Sequence, residues 1–156
     1  GKFAVGGRGG TVYTVTSLAD SGTGTLREAI DAFGARTVVF AVSGYIDLQS
    51  ELSVDNSHIT IAGQTSPGGI TLRGSRLKVR ASEVIVRGMR FRPGDDTIAN
   101  GGDSTCQNKD GFGVGSSDST NYVENVVFDH CSATWAMDEN GSSWYTSSKT
   151  TVSSCI

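Results

Sequence analysis

The stretches "SHITIAG" (Ser57–Gly63), "SEVIVRG" (Ser82–Gly88), "ENVVFDH" (Glu124–His130) and "KTTVSSC" (Lys149–Cys155) lie over one another without a gap. Ile61, Val86, Phe128 and Val152 share one column, at intervals of 25, 42 and 24 residues. The longest interval holds an extra loop, at about residues 93–109. A polar turn precedes each run: "DNS", "RAS", "NYVEN" and "SSK". A repeat of this length marks a solenoid or array. A propeller blade needs four antiparallel strands in about 40 residues, too many for a coil near 25. Three short parallel strands per turn fit, and residues one coil apart then stack about 4.8 Å apart. Asn-Gly hairpin turns between paired strands are scarce, which argues against an antiparallel sandwich. The spacing predicts an all-β fold, a parallel β-helix with the four column residues inside.

Upstream, Thr11 to Thr16 reads as a strand. Thr25 followed by Glu28 is a capping box. Leu26, Ala29, Ile30 and Phe33 then fall at helical spacing, which predicts a short amphipathic helix from about Leu26 to Phe33. Its expected task is to cover the open end of the β-helix, otherwise an unpaired strand edge. The chain therefore reads as one domain, residues 1–156. Residues 1–36 form the strand and capping helix, and 37–156 form the coils.

The 156 residues include 21 Gly and only 2 Pro, with no tripeptide period, which excludes collagen. A formal charge of −3 offers no basic face for nucleic acid. No apolar run approaches the length that spans a membrane. The chain opens on Gly1-Lys2-Phe3 and is expected to be processed, trimmed or a fragment. Three cysteines, Cys106, Cys131 and Cys155, match no zinc spacing. Cys131 and Cys155 follow the column at one offset. They are expected to stack as small apolar rungs rather than as a disulfide, because parallel side chains give a poor torsion. Asn140-Gly141-Ser142 is a glycosylation sequon.

Several clusters carry candidate chemistry. Asp129-His130-Cys131 contains the residue types of a nucleophilic triad. Consecutive strand residues face opposite sides, however, so His130 should face away from both neighbours. "DGFG" at Asp110 and "DENG" at Asp138 share D-x-x-G, 28 residues apart, close to one coil. Stacked carboxylates repel and would share a cation. Calcium suits such an oxygen site, whereas the plain alternative is that both aspartates cap turns. Arg87, Arg90 and Arg92 are either contacts for anionic ligands or an ion-paired strand face. Trp135 and Trp144 could stack on sugar rings, with Trp135 expected to fill a corner of the core.

"GGRGGTVYTVTSLADSGTGTLREAI", "VVFAVSGYIDL", "ITIAGQTSPGGITL", "VIVRGMRFRPGD" and "DHCSATWAMDE" resemble, in order, signatures of the pectate lyases of polysaccharide lyase family one. The resemblance covers nearly the whole chain. It implies a right-handed parallel β-helix and calcium-dependent β-elimination of polygalacturonate by a secreted, extracellular protein. It carries Asp110 and Asp138, with Glu139 adjacent, over as calcium ligands. Arg90 and Arg92 are the substrate-binding candidates, with anionic pectate as partner and neither nucleic acid nor membrane. The Asp129-His130 pair is implied to be buried and structural. Family members are longer, and one acidic position of theirs reads Thr134 here. Their catalytic arginine matches no position and is expected beyond residue 156, so the isolated chain is expected to be an inactive N-terminal portion. The competing expectation is a non-catalytic β-helix scaffold or carbohydrate-binding protein that stacks head-to-tail into fibres through open strand edges.

Overall fold

The computed structural model describes residues 1–95 and 109–156. The loop expected at about 93–109 falls largely outside the described residues, as does Cys106. Three parallel sheets account for the strands. The largest stacks β1 (Thr11–Val15), β2 (Arg36–Phe40), β5 (Ile59–Ala62), β8 (Val84–Arg87), β11 (Val123–Asp129) and β14 (Ser147–Ser153). The second stacks β4 (Leu52–Val54), β7 (Leu77–Val79), β10 (Phe112–Val114) and β13 (Gly141–Ser143). The third stacks β3 (Gly44–Asp47), β6 (Ile70–Arg73), β9 (Met89–Arg92) and β12 (Ser132–Ala133). Each circuit of the chain lends one strand to each sheet, winding in the right-handed sense that twisted strands favour. The architecture is a right-handed parallel β-helix.

The predicted column is real. Val38, Ile61, Val86, Phe128 and Val152 are successive partners across β2, β5, β8, β11 and β14. The first four are buried, each worth about 1.5–3 kcal/mol of apolar burial. Val152 keeps the register but is 54% exposed, because no described coil lies over it. Phe91, Phe112 and Phe128, one from each sheet, fill the interior, and the rings of Phe112 and Phe128 stack at 4.0 Å. Cys131 is buried, Cys155 is half-buried, and both are free thiols. Burial pushes the Cys131 thiol up to about 11, which suits an apolar rung.

Single left-handed residues make the corners. His58, Glu83, Asn125 and Lys149, at φ between 53° and 63°, sit just before the aligned runs. Gly88, His130 and Ser154 form the next corner, also at positive φ. This corrects the reading of Asp129 and His130 as a buried pair facing opposite ways. Strand alternation stops where the chain turns. His130 is therefore exposed, with Nδ1 2.9 Å from Asp129 Oδ1. The half-buried Asp129 carboxylate accepts from Ser153 Oγ at 2.8 Å and Arg87 Nε at 2.9 Å, tying three coils. The Ser153 hydrogen bond, then that of His130, holds it below the usual carboxylate range.

Helix α1 spans Leu26–Asp31. Thr25 Oγ1 caps it by accepting from Glu28 N, while the Glu28 carboxylate reaches back to Gly24 N at 2.6 Å. Leu26, Ala29 and Ile30 face the core. The predicted C-terminal end is corrected, because Ala32 is already extended and Phe33 is 87% exposed. Arg36 explains the early stop. Fully buried, it donates to Ala29 O, Ile30 O and Gly34 O at 2.6–3.0 Å, and to Asn56 O and Ser57 O at 3.2 Å. It satisfies last-turn carbonyls that lack helical partners. Burial lowers its pKa, but five acceptors surround the charge.

Residues 1–10 form a strap across the outside of the largest sheet. Val5 N donates to Glu83 Oε2 at 2.8 Å and Gly7 N to Thr60 Oγ1 at 3.0 Å. The amino terminus meets Thr151 Oγ1. A Cβ at Gly7 would overlap the Arg36 carbonyl, and one at Gly10 the Ala35 carbonyl, so glycine lets the strap lie flat. Trp135, expected in the core, is exposed instead; its left-handed backbone turns the side chain outward. Among the described residues no helix is long and apolar enough to cross a membrane.

Two consequences are measurable by denaturant unfolding. Arg36→Met should cost at least ~3 kcal/mol, because it strands several buried carbonyls. Gly7→Ala should cost about 1–3 kcal/mol by overpacking and should make residues 1–10 more sensitive to protease. Unchanged midpoints for both variants would refute these roles.

Candidate metal and substrate site

The second sheet carries the acidic residues at the starts of two neighbouring strands. Asp110 precedes β10, and Asp138-Glu139 precede β13. Met137 N donates to Lys109 O at 3.2 Å, and Gly111 N to Glu139 O at 3.0 Å, so one segment lies directly on the other. One oxygen from each of Asp110, Asp138 and Glu139 falls within 4.8 Å of the others.

The reason differs from the D-x-x-G recurrence. Phe112 pairs with Gly141 and Gly113 with Ser142, which puts Glu139, not Asp138, level with Asp110. The two glycines serve different ends. Gly113 leaves room outside the sheet for Lys78 and Ser142. A Cβ at Gly141 would strike the Phe112 ring.

Asp110 is almost fully buried. Its Oδ2 accepts from Arg76 Nη1 at 3.1 Å and Ser142 Oγ at 3.2 Å, while buried Oδ1 has no hydrogen-bond partner. Arg76 Nε also pairs with Glu51 at 2.6 Å, and Arg80 Nη2 pairs with the other Glu51 oxygen at 2.6 Å. Burial alone would raise the Glu51 carboxyl, but Arg76 and Arg80 hold it below its usual range. Lys78 is buried with its Nζ 3.3 Å from the centre of the Trp144 ring. Burial, then the Arg76 charge, pushes its pKa down to about 8. Glu139 is raised, first by the Asp138 charge, then by desolvation and Asp110.

This donor set fits a hard divalent cation. A buried carboxylate oxygen without a partner is costly, and close carboxylates repel. Calcium takes several oxygens in loose geometry.

The arginines stand elsewhere. Arg90 and Arg92 lie on β9, in the third sheet. Arg90 Nη1 donates to Gly68 O at 3.2 Å. Arg92 donates to Phe91 O at 2.8 Å, Ser132 O at 3.0 Å and Ser132 Oγ at 2.8 Å. Arg87 pairs with Asp129. None of these bonds joins them to the acidic cluster. The sequence reading missed Arg76, Lys78, Ser142 and Trp144. Extending the coil alignment to "RLKV" over "GFGV", the register in which Leu77 meets Phe112, would have placed Arg76 beside Asp110.

No family model matches the chain. Curated relatives do. A probable pectate lyase C from Emericella nidulans is 43% identical over the whole chain, which covers 34% of that protein. One from Neosartorya fischeri is 42% identical over the same extent. A probable pectate lyase 4 from Arabidopsis thaliana is 36% identical over 57% of the chain and 25% of its own length. The crystal structure of jun a 1, the major allergen from cedar pollen, superposes with a TM-score of 0.73. That match covers 96% of this chain and 45% of the allergen at 23% identity, a likeness of fold. The chain spans about a third of the length of the pectate lyase C relatives. Along its whole length, the chain is a homologue of the pectate lyases.

Proposed function

We propose that this chain is the cation-binding part of a secreted, calcium-assisted pectate lyase that cleaves polygalacturonate by β-elimination. The convergence of Asp110, Asp138 and Glu139 carries the reading. All 156 residues act as one domain in it.

Elimination removes the proton next to a sugar carboxylate, and the oxygen at the 4-position leaves. That proton is weakly acidic while the carboxylate keeps its charge. Asp110, Asp138 and Glu139 would hold calcium, which when bound supplies a Lewis acid for the substrate carboxylate. Arg76 and Ser142 fix Oδ2 of Asp110, so the buried Oδ1 remains for the cation. Without a positive ion, the same carboxylates would repel pectate. Arg90, exposed on β9, and Arg92 are the proposed contacts for carboxylates of neighbouring sugar units. No residue of this chain is assigned as the base. The arginine implied by the family resemblance is proposed to lie outside these 156 residues.

Two measurements test the reading. Full-length protein containing this chain, given polygalacturonate and calcium, should release an unsaturated uronate that absorbs in the ultraviolet. No such product would sink the lyase assignment. Calorimetry on the chain should show weak calcium binding that strengthens with oligogalacturonate. Asp138→Ala should abolish it without altering the circular dichroism spectrum. Binding should weaken as pH falls, and Glu139 should take up its proton above the usual glutamate range. Affinity that does not change with pH, or survives Asp138→Ala, would remove these residues from the site.

A further inference from the structure

Beside the third sheet lies a surface recess of about 490 Å³, lined by residues that include Tyr45, Asp47, Arg73, Arg92, Asp95 and Trp135. One wall is rigid. Asp47 accepts from Arg73 Nε at 2.6 Å and Nη2 at 2.8 Å, a fork-on-fork pair. The Arg73 guanidinium lies 4.2 Å from the centre of the Tyr45 ring. Asp47, Arg73 and Arg92 are successive partners across β3, β6 and β9, so the ladder fixes their spacing.

Trp135 is another side of the recess and is 77% exposed. Its backbone is left-handed at φ 63°, an unfavourable conformation for a bulky residue. Gly94 N donates to its carbonyl at 3.1 Å, and Thr134 N donates to Phe91 O at 3.1 Å, which hold the turn. An exposed indole on a strained turn has no packing reason. Strain of this kind concentrates at ligand sites.

The recess also balances its charges, with Arg73 and Arg92 against Asp47 and Asp95. A flat apolar face rimmed by planar hydrogen-bonding groups suits a pyranose ring, which has C–H faces and a hydroxyl edge. Net neutrality disfavours a polyanion. We infer that this recess is a saccharide subsite in which a neutral sugar unit, its carboxyl absent or esterified, stacks on Trp135.

Only three residues separate Trp135 from Asp138, a span of at most about 11 Å. One polymer can therefore present a neutral unit to Trp135 and an ionised unit to the carboxylates. The inference rests on the polysaccharide reading for its ligand class, but it requires neither calcium nor cleavage.

The test is calorimetry on the chain in EDTA, with methyl-esterified trigalacturonate and its free acid as probes. The ester should bind saturably, at least tenfold tighter than the acid, and with little dependence on salt. Trp135→Ala should weaken it tenfold or more, and Trp135→Phe should keep part of the affinity, both with unchanged circular dichroism. Failure of calcium binding in the earlier experiment would leave these outcomes untouched. Equal or tighter binding of the acid with steep salt dependence would make the recess a polyanion site and overturn the inference. No binding of either probe, or unchanged affinity in Trp135→Ala, would also overturn it.

Discussion

The ladder between β8 and β11 pairs Val84 with Val126 and Val86 with Phe128, and the next ladder pairs Phe128 with Val152. Side chains alternate with period two, so a slip of one residue would expel the whole column. It would also exchange inside for outside at β10 and β13. Phe112 would leave the aromatic interior, and Glu139 would no longer stand level with Asp110. The apolar column and the acidic cluster thus depend on one backbone register. Removing carboxylates should leave the fold intact, whereas disturbing the register destroys both.

A stacked fold of this kind is most exposed at its first coil. The helix there is only six residues long, too short to persist alone. It is held by Leu26, Ala29 and Ile30 on one side and by Arg36 on the other. Arg36 joins the helix carbonyls to Asn56 and Ser57 on the next coil. The strap adds contacts at Thr60, Glu83 and Thr151, one on each of three further coils. The end cap is thus fastened to the body by hydrogen bonds that reach past nearest neighbours.

The coil fold was legible because its signal is periodic. Four aligned runs and a helix with a capped start suffice to read it. The carboxylates were legible for a partly accidental reason, since D-x-x-G recurs at 28 residues while the ladder offset is 29. The missing information was non-local. His130 and Trp135 were misread because left-handed turns break strand alternation, and neither is a glycine that would announce one. Phe33 fits a helical stripe that Arg36 ends from outside. Arg76 and Lys78 look like ordinary strand-flanking cations until Asp110 and Trp144 are folded against them.

Those cations also shape the site's electrostatics. Glu51, Asp110, Asp138 and Glu139 stand near Arg76, Arg80 and Lys78. The positive groups back onto the buried Asp110, while Asp138 and Glu139 are exposed. An incoming cation therefore meets the negative side first. Lys78 modulates this balance, because its pKa near 8 lies below the ordinary lysine value of 10.5. The unfolded chain binds that proton more tightly, so the cost of burying the charge is present below pH 8. That cost is relieved as pH rises from about 8 to 10.5, and folding gains stability over this window. Loss of the same proton makes the groove one charge more negative, which favours a divalent ion. Alkaline conditions therefore favour the folded coil and its cation together, both through the amine held beneath Trp144.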